Sequence, residues 1–340
     1  MKRLQALLLA LWLLTGAAAA YDGTEAVFSR FPLDELAAYA GTSEADWLAS
    51  ALAECGAEGA SVYADALTAN LASGAARIAF PTDVMRIAMT YKSLGSPKFV
   101  SYLNDAVFYC DDLGKRGVGD FAWALIAVEH CGARFPDDAA NTPETLLKSI
   151  AEAELEGGGF ALTGTAPDAD TTAIVLRALA PHRDACAELV ARTLTALSAL
   201  QQESGAFASL GTETAESTAQ AVLALSALGI APDADERFVK NGVTCVEALY
   251  GFATADGFAH IHGGETDALA TAQALSALRA CETPQQSGSA AEGTENTPAV
   301  SPAAQESGTG RTVFLVAAVV AVAAGAAVFL RVRFTKQYQK

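Results

Sequence analysis

The sequence predicts an all-α domain in which six inner helices and six outer helices alternate and close into a ring, and three observations carry that prediction. An Ala- and Leu-rich segment recurs six times, more polar segments of helical length stand between the copies, and glycines punctuate the ends of both. The inner copies are Glu44 to Gly56 (EADWLASALAECG), Thr82 to Gly95 (TDVMRIAMTYKSLG), Asp120 to Gly132 (DFAWALIAVEHCG), Asp170 to Leu179 (DTTAIVLRAL), Glu216 to Gly229 (ESTAQAVLALSALG) and Leu269 to Leu278 (LATAQALSAL). Each opens on or near a polar residue suited to capping a helix and runs for about three turns. Gly56, Gly95, Gly132 and Gly229 stand where a left-handed C-cap is wanted.

The inner copies are apolar almost all round, which in a water-soluble domain means burial on several sides. The segments between them carry charge on one face and are expected as outer helices: Leu33 to Tyr39, Ser61 to Ser73, Pro97 to Tyr109, Pro143 to Glu154, Asp184 to Gln202 and Glu236 to Tyr250. Such hairpins can stack into an open superhelix. Six of them can also close, so that the inner helices face one another across a funnel, and this is the expected arrangement. Ahead of three late copies stand Gly157-Gly-Gly-Phe160, Gly205-Ala-Phe207 and Gly257-Phe258, read as tight turns plugged into the helix layer by an aromatic ring.

The chain ends read differently from the 21–282 domain. Lys2 and Arg3, an apolar run from Leu4 to Leu14 and the small residues before Tyr21 make 1–20 a secretory signal. Residues 283–311 are almost devoid of large apolar side chains and read as a disordered polar linker. Residues 312–330 are uncharged and about 28 Å long as a helix, enough for one transmembrane span. The basic tail 331–340 then lies in the cytoplasm and the domain outside, at the cell membrane.

All 39 acidic residues but only 15 of the 22 basic ones lie between Tyr21 and Gly310, a net charge of −24 for the exported part. Such a surface repels nucleic acid and favours cations or neutral ligands. Cys55, Cys110, Cys131, Cys186, Cys245 and Cys281 are placed where disulfides persist, yet several sit in apolar helical stretches as small core residues, and the sequence does not choose a pairing.

The Gly-Gly-Phe turns, together with Asp168-Ala-Asp-Thr-Thr-Ala173, Glu216-Ser-Thr-Ala-Gln220 and Ala270-Thr-Ala-Gln273, resemble the prenyltransferase and squalene-cyclase repeat superfamily, and among its members the secreted bacterial branch. The resemblance covers residues 40 to 281 and implies an α/α toroid. One fold hosts many functions, and three branches imply three here. Class II terpene cyclases use an Asp-x-Asp-Asp-Thr-Ala acid; by that match Asp170 is the general acid and Asp168 its neighbour, with Thr171 in place of the last aspartate. The competing assignment makes Asp170 a helix cap. Protein prenyltransferases hold zinc through an Asp-x-Cys pair that this chain lacks. His260 and His262, near Glu265 and Asp267, lie in a glycine-rich loop without enforced ligand spacing, so no metal is expected. Transcobalamin-type proteins carry cobalamin against such a barrel, which makes cobalamin a conceivable ligand.

Arg86, Thr172, Glu216, Thr218, Gln220, Thr271 and Gln273 occupy matching early positions on inner copies, from which polar groups point into a funnel mouth or bond neighbouring helix ends. The expected function is a membrane-anchored binding module for a small molecule or peptide. An enzyme of cyclase ancestry and a structural surface spacer are the alternatives.

Overall fold

The computed structural model describes residues 23–76 and 78–282. The expected signal sequence, linker, membrane span and basic tail lie outside the described residues. No helix among the described residues is long and apolar enough to cross a membrane.

The described residues are all-α apart from four strands of two residues each. The α-helices are α1 (Thr24–Arg30), α2 (Leu33–Leu36), α3 (Ser43–Glu54), α4 (Ala60–Ser73), α5 (Pro81–Ser93), α6 (Phe99–Leu103), α7 (Val118–Cys131), α8 (Pro143–Glu152), α9 (Ala169–Leu179), α10 (Ala187–Leu200), α11 (Ala215–Ala227), α12 (Cys245–Tyr250) and α13 (Ala268–Glu282). Strands β1 (Ala208–Ser209) and β2 (Thr212–Glu213) form one hairpin, and β3 (Val239–Lys240) and β4 (Val243–Thr244) another.

The Ala/Leu-rich copies become α3, α5, α7, α9, α11 and α13. Each packs on the next in that order, and α13 packs on α3, so the succession closes on itself. Small side chains permit this. Ala49, Ala88, Ala122, Ala173, Ala219 and Ala274 are fully buried, which lets each helix approach a neighbour on either side. Helices α4, α6, α8, α10 and α12 pack on α3, α5, α7, α9 and α11, while α2 packs on α3 and α4. Gly56, Gly95, Gly132 and Gly229 have φ of 92°, 73°, 61° and 71°, the left-handed geometry a C-cap needs.

Four expectations need correcting. Glu236 to Tyr250 is not one helix: a 3₁₀ turn, Glu236–Phe238, leads into the β3–β4 hairpin, and only Cys245–Tyr250 is α-helical. Asn241 and Gly242 have φ of 52° and 80°, the left-handed pair of a two-residue hairpin turn, and this local preference overrides helical patterning. The segment Pro97 to Tyr109 divides into α6 and a π-turn over Asn104–Phe108. Helix α10 starts at Ala187, after the 3₁₀ turn Ala180–His182 that Pro181 favours. The short helix α1 precedes the first expected element, and its Val27 is fully buried.

Capping is displaced by two residues from the expected position. Asp168, not Asp170, caps α9, its Oδ1 accepting from Thr171 N at 2.7 Å. Thr214 caps α11, accepting from Ser217 N at 3.1 Å. Asp267 accepts from Leu269 N and Ala270 N at the start of α13, both at 3.0 Å. The six cysteines are all free thiols.

Candidate functional site

A cavity of about 260 Å³ opens inside the ring, and all six ring helices contribute to its wall. Trp47, Ser50 and Glu54 come from α3, Met89 from α5, Trp123 and His130 from α7, and Arg177 from α9. Gln220 and Leu223 come from α11, and Gln273, Ser276 and Arg279 from α13. These positions recur because a closed ring turns one stripe of every inner helix toward the common centre, so polar residues embedded in apolar helices meet there.

One wall is a network. Glu54 Oε2 accepts from Arg279 Nη1 at 2.9 Å and Oε1 accepts from Ser93 Oγ at 2.7 Å. His130 Nε2 lies 3.0 Å from Ser93 Oγ and 3.6 Å from Glu54 Oε1. Burial lowers the His130 pKa more strongly than the Glu54 carboxylate raises it, so the imidazole is held toward its neutral form. Arg177 faces the same space. Burial lowers its pKa and Glu54 opposes that shift, and among the described residues no hydrogen bond or ion pair joins its guanidinium to an acceptor. Trp47 and Trp123 meet at 5.4 Å between centroids, inclined at 41°. Gln220 Nε2 donates to Gln273 Oε1 at 3.0 Å, while Gln220 Oε1 is buried without a hydrogen-bond partner.

The residues singled out in the sequence divide between this cavity and structural duties. Gln220 and Gln273 line the cavity. Thr172, Thr218 and Thr271 are fully buried and turned to the backbone instead. Their Oγ1 atoms accept from Phe160 N, Phe207 N and Phe258 N at 3.1, 3.0 and 2.9 Å, locking each aromatic turn onto the helix that follows. The glycine before the aromatic residue makes room for that lock. A Cβ on Gly257 would stand 2.6 Å from Thr271 Oγ1, and one on Gly159 would stand 2.9 Å from Pro167. Arg86 is buried in an ion pair with Asp46 between α5 and α3.

Asp168 spends both oxygens on its cap, Oδ2 accepting from Leu162 N at 2.8 Å and from Thr171 Oγ1 at 3.0 Å. Asp170 sits in the first turn of α9 and is not among the residues that line the cavity. Burial raises its carboxyl above the ordinary value, hydroxyls of Ser217 and Ser209 pull it back, and Asp168 and Glu216 add to the rise. Glu216 accepts from His260 Nδ1 at 2.8 Å. His262 stacks on Phe252 at 3.8 Å and lies 3.1 Å from Gly251 O. Both histidines of the suspected pair are therefore engaged, and no group of three or more His, Cys, Asp or Glu among the described residues is arranged to hold a metal.

Sequence reasoning missed Glu54, His130, Arg177 and Arg279, and the two tryptophans as a pair. A signal was present: Glu54, Ser93 and His130 each stand two residues before the glycine that ends the copy. No protein-family model matches the chain, and no curated protein matches it.

Proposed function

We propose that this chain is an exported, membrane-anchored binding module, in which an α/α toroid of the prenyltransferase and squalene-cyclase kind, six inner helices within six outer ones, holds a small molecule on its axis. The observation that carries the reading is the wall of the axial cavity, where Gln220 Oε1 is buried without a partner beside the unpaired guanidinium of Arg177. Buried polar groups are almost always satisfied, so the unpartnered Gln220 Oε1 marks a place where another molecule completes the bonding, with Arg177 on the same wall. At about 260 Å³ the space suits a compact ligand. A corrinoid such as cobalamin would have to rest against the rim. The anchor rests on the uncharged run 312–330 and the basic tail after it.

The cyclase reading keeps one supporting observation, the raised pKa of Asp170, which favours the protonated form a general acid needs. Its absence from the cavity wall weighs against it, because an acid must reach the reacting bond.

Mass spectrometry of the full chain, extracted without denaturation, tests the binding reading. A small molecule should co-purify with wild type and be lost from Ser276→Phe, which fills the cavity from α13. The same yield from both proteins, or none from either, would overturn it.

A further inference from the structure

We propose, resting on the binding reading, that the axial cavity selects a small aromatic carboxylate that also carries an N–H or O–H donor. Charge balance gives the first part. The wall holds two guanidinium groups, Arg177 and Arg279, against one carboxylate, Glu54. Glu54 is committed to Arg279 and Ser93, and His130 beside it is held toward neutrality by burial. One positive charge is left over, on Arg177. That guanidinium has no acceptor of its own and shares only the field of Glu54, so an anion is favoured beside it, and its plane matches a carboxylate with two parallel bonds.

The shape gives the second part. Trp47 and Trp123 offer flat faces, and Met89 and Leu223 complete an apolar wall. Offset stacking on such faces favours a planar ring. An apolar cavity of roughly 150 Å³ accepts benzene, so about 260 Å³ takes a substituted single ring and excludes a peptide or nucleotide. The third part comes from Gln220. Its amide nitrogen is engaged with Gln273, so the unpaired oxygen calls for a donor on the ligand. This anion-seeking interior lies inside a domain whose overall charge is strongly negative. The acidic exterior therefore does not forecast what the axis prefers.

The test uses the full chain and three probes of nearly equal size: 4-hydroxyphenylacetate, its neutral amide 4-hydroxyphenylacetamide, and the cation tyramine. Calorimetry reads affinity. Fluorescence reports from the cavity itself, since Trp47 and Trp123 are the only tryptophans outside the expected signal sequence 1–20. The acid should bind about tenfold more tightly than the amide, and the amine should not bind, given the strength of charge-assisted hydrogen bonds. Arg177→Gln should bring acid and amide together by weakening the acid far more than the amide. In wild type, phenylacetate should bind more weakly than 4-hydroxyphenylacetate, and Gln220→Leu should erase that difference.

Equal affinity of wild type for acid and amide, or a preference for the amine, would overturn the proposal without any variant being needed. If none of the probes binds while a molecule sensitive to Ser276→Phe still co-purifies, the ligand class is wrong and the binding reading stands. If neither is seen, both fall.

Discussion

The guanidinium of Arg86 lies against the carboxylate of Asp46 with side-chain exposures of 5% and 0%, joining α5 to α3 inside the protein. Asp46 Oδ1 also accepts from Tyr63 OH at 2.7 Å and Gly41 N at 2.9 Å, and Arg86 Nη1 donates to Thr42 O at 3.3 Å. Both Asp46 carboxylate oxygens and Arg86 Nη1 are turned to protein partners, which helps two charges survive burial.

Removing one partner should therefore be severe. Arg86→Met strands a buried carboxylate and should cost about 3–5 kcal/mol in chemical denaturation, with Asp46→Asn less harmful because the amide keeps an acceptor. A loss under about 1 kcal/mol for Arg86→Met would show that the pair is solvated in solution.

Thr218→Val should cost about 1–3 kcal/mol, because Phe207 N loses its acceptor in the interior. Ligand affinity should be unchanged, since the hydroxyl faces the aromatic turn. Weaker binding at unaltered stability would return Thr218 to the list of ligand contacts.

Asp168 and Asp170 should separate cleanly. Asp168→Ala removes the α9 cap and should lower stability by about 1 kcal/mol. Asp170 has a native pKa above its ordinary 3.8, so the native state holds the proton more tightly than the unfolded state. Its contribution to stability is therefore present at low pH and lost as pH rises from 3.8 through the native value. Asp170→Asn should remove that loss, leaving the variant more stable than wild type at neutral pH. Equal pH dependence of the two proteins, measured by urea unfolding, would refute the buried-acid assignment. Isoprenoid substrates should give no product with wild type, and a cyclised product lost in Asp170→Asn would make the enzyme reading the leading one.

Topology is tested in intact cells. A tag after Lys340 should be protected from added protease while a tag near Ser289 is shaved off. Protection of the Ser289 tag would reverse the proposed orientation.

Most of the helical layout was legible in the sequence, because a three-turn Ala/Leu pattern between capping residues and glycines has few other solutions. Boundaries failed where local chemistry outweighed periodicity. The Asn241-Gly242 turn broke an expected helix, and the caps moved to Asp168, Thr214 and Asp267, two residues upstream. The threonines were recognised as equivalent, yet equivalence does not tell inward from backward, and the hydroxyls bond the preceding turn. Cavity groups were harder still. Glu54, Trp123 and Arg177 lie far apart in the chain and converge only because the helices close, a relation no local pattern encodes.

The bond from Arg279 to Glu54 spans 225 residues of chain. Contacts between such distant residues slow folding, because the intervening chain must be ordered before they repay it. Helices α3 to α11 must therefore wait, with the apolar flanks that α13 will cover still open to water, until the last ring helix has been delivered. A protein threaded outward from its N-terminus meets that condition late in transit. If the chain is exported as proposed, the interval between emergence of α3 and arrival of α13 is when a chaperone on the receiving side has most to protect.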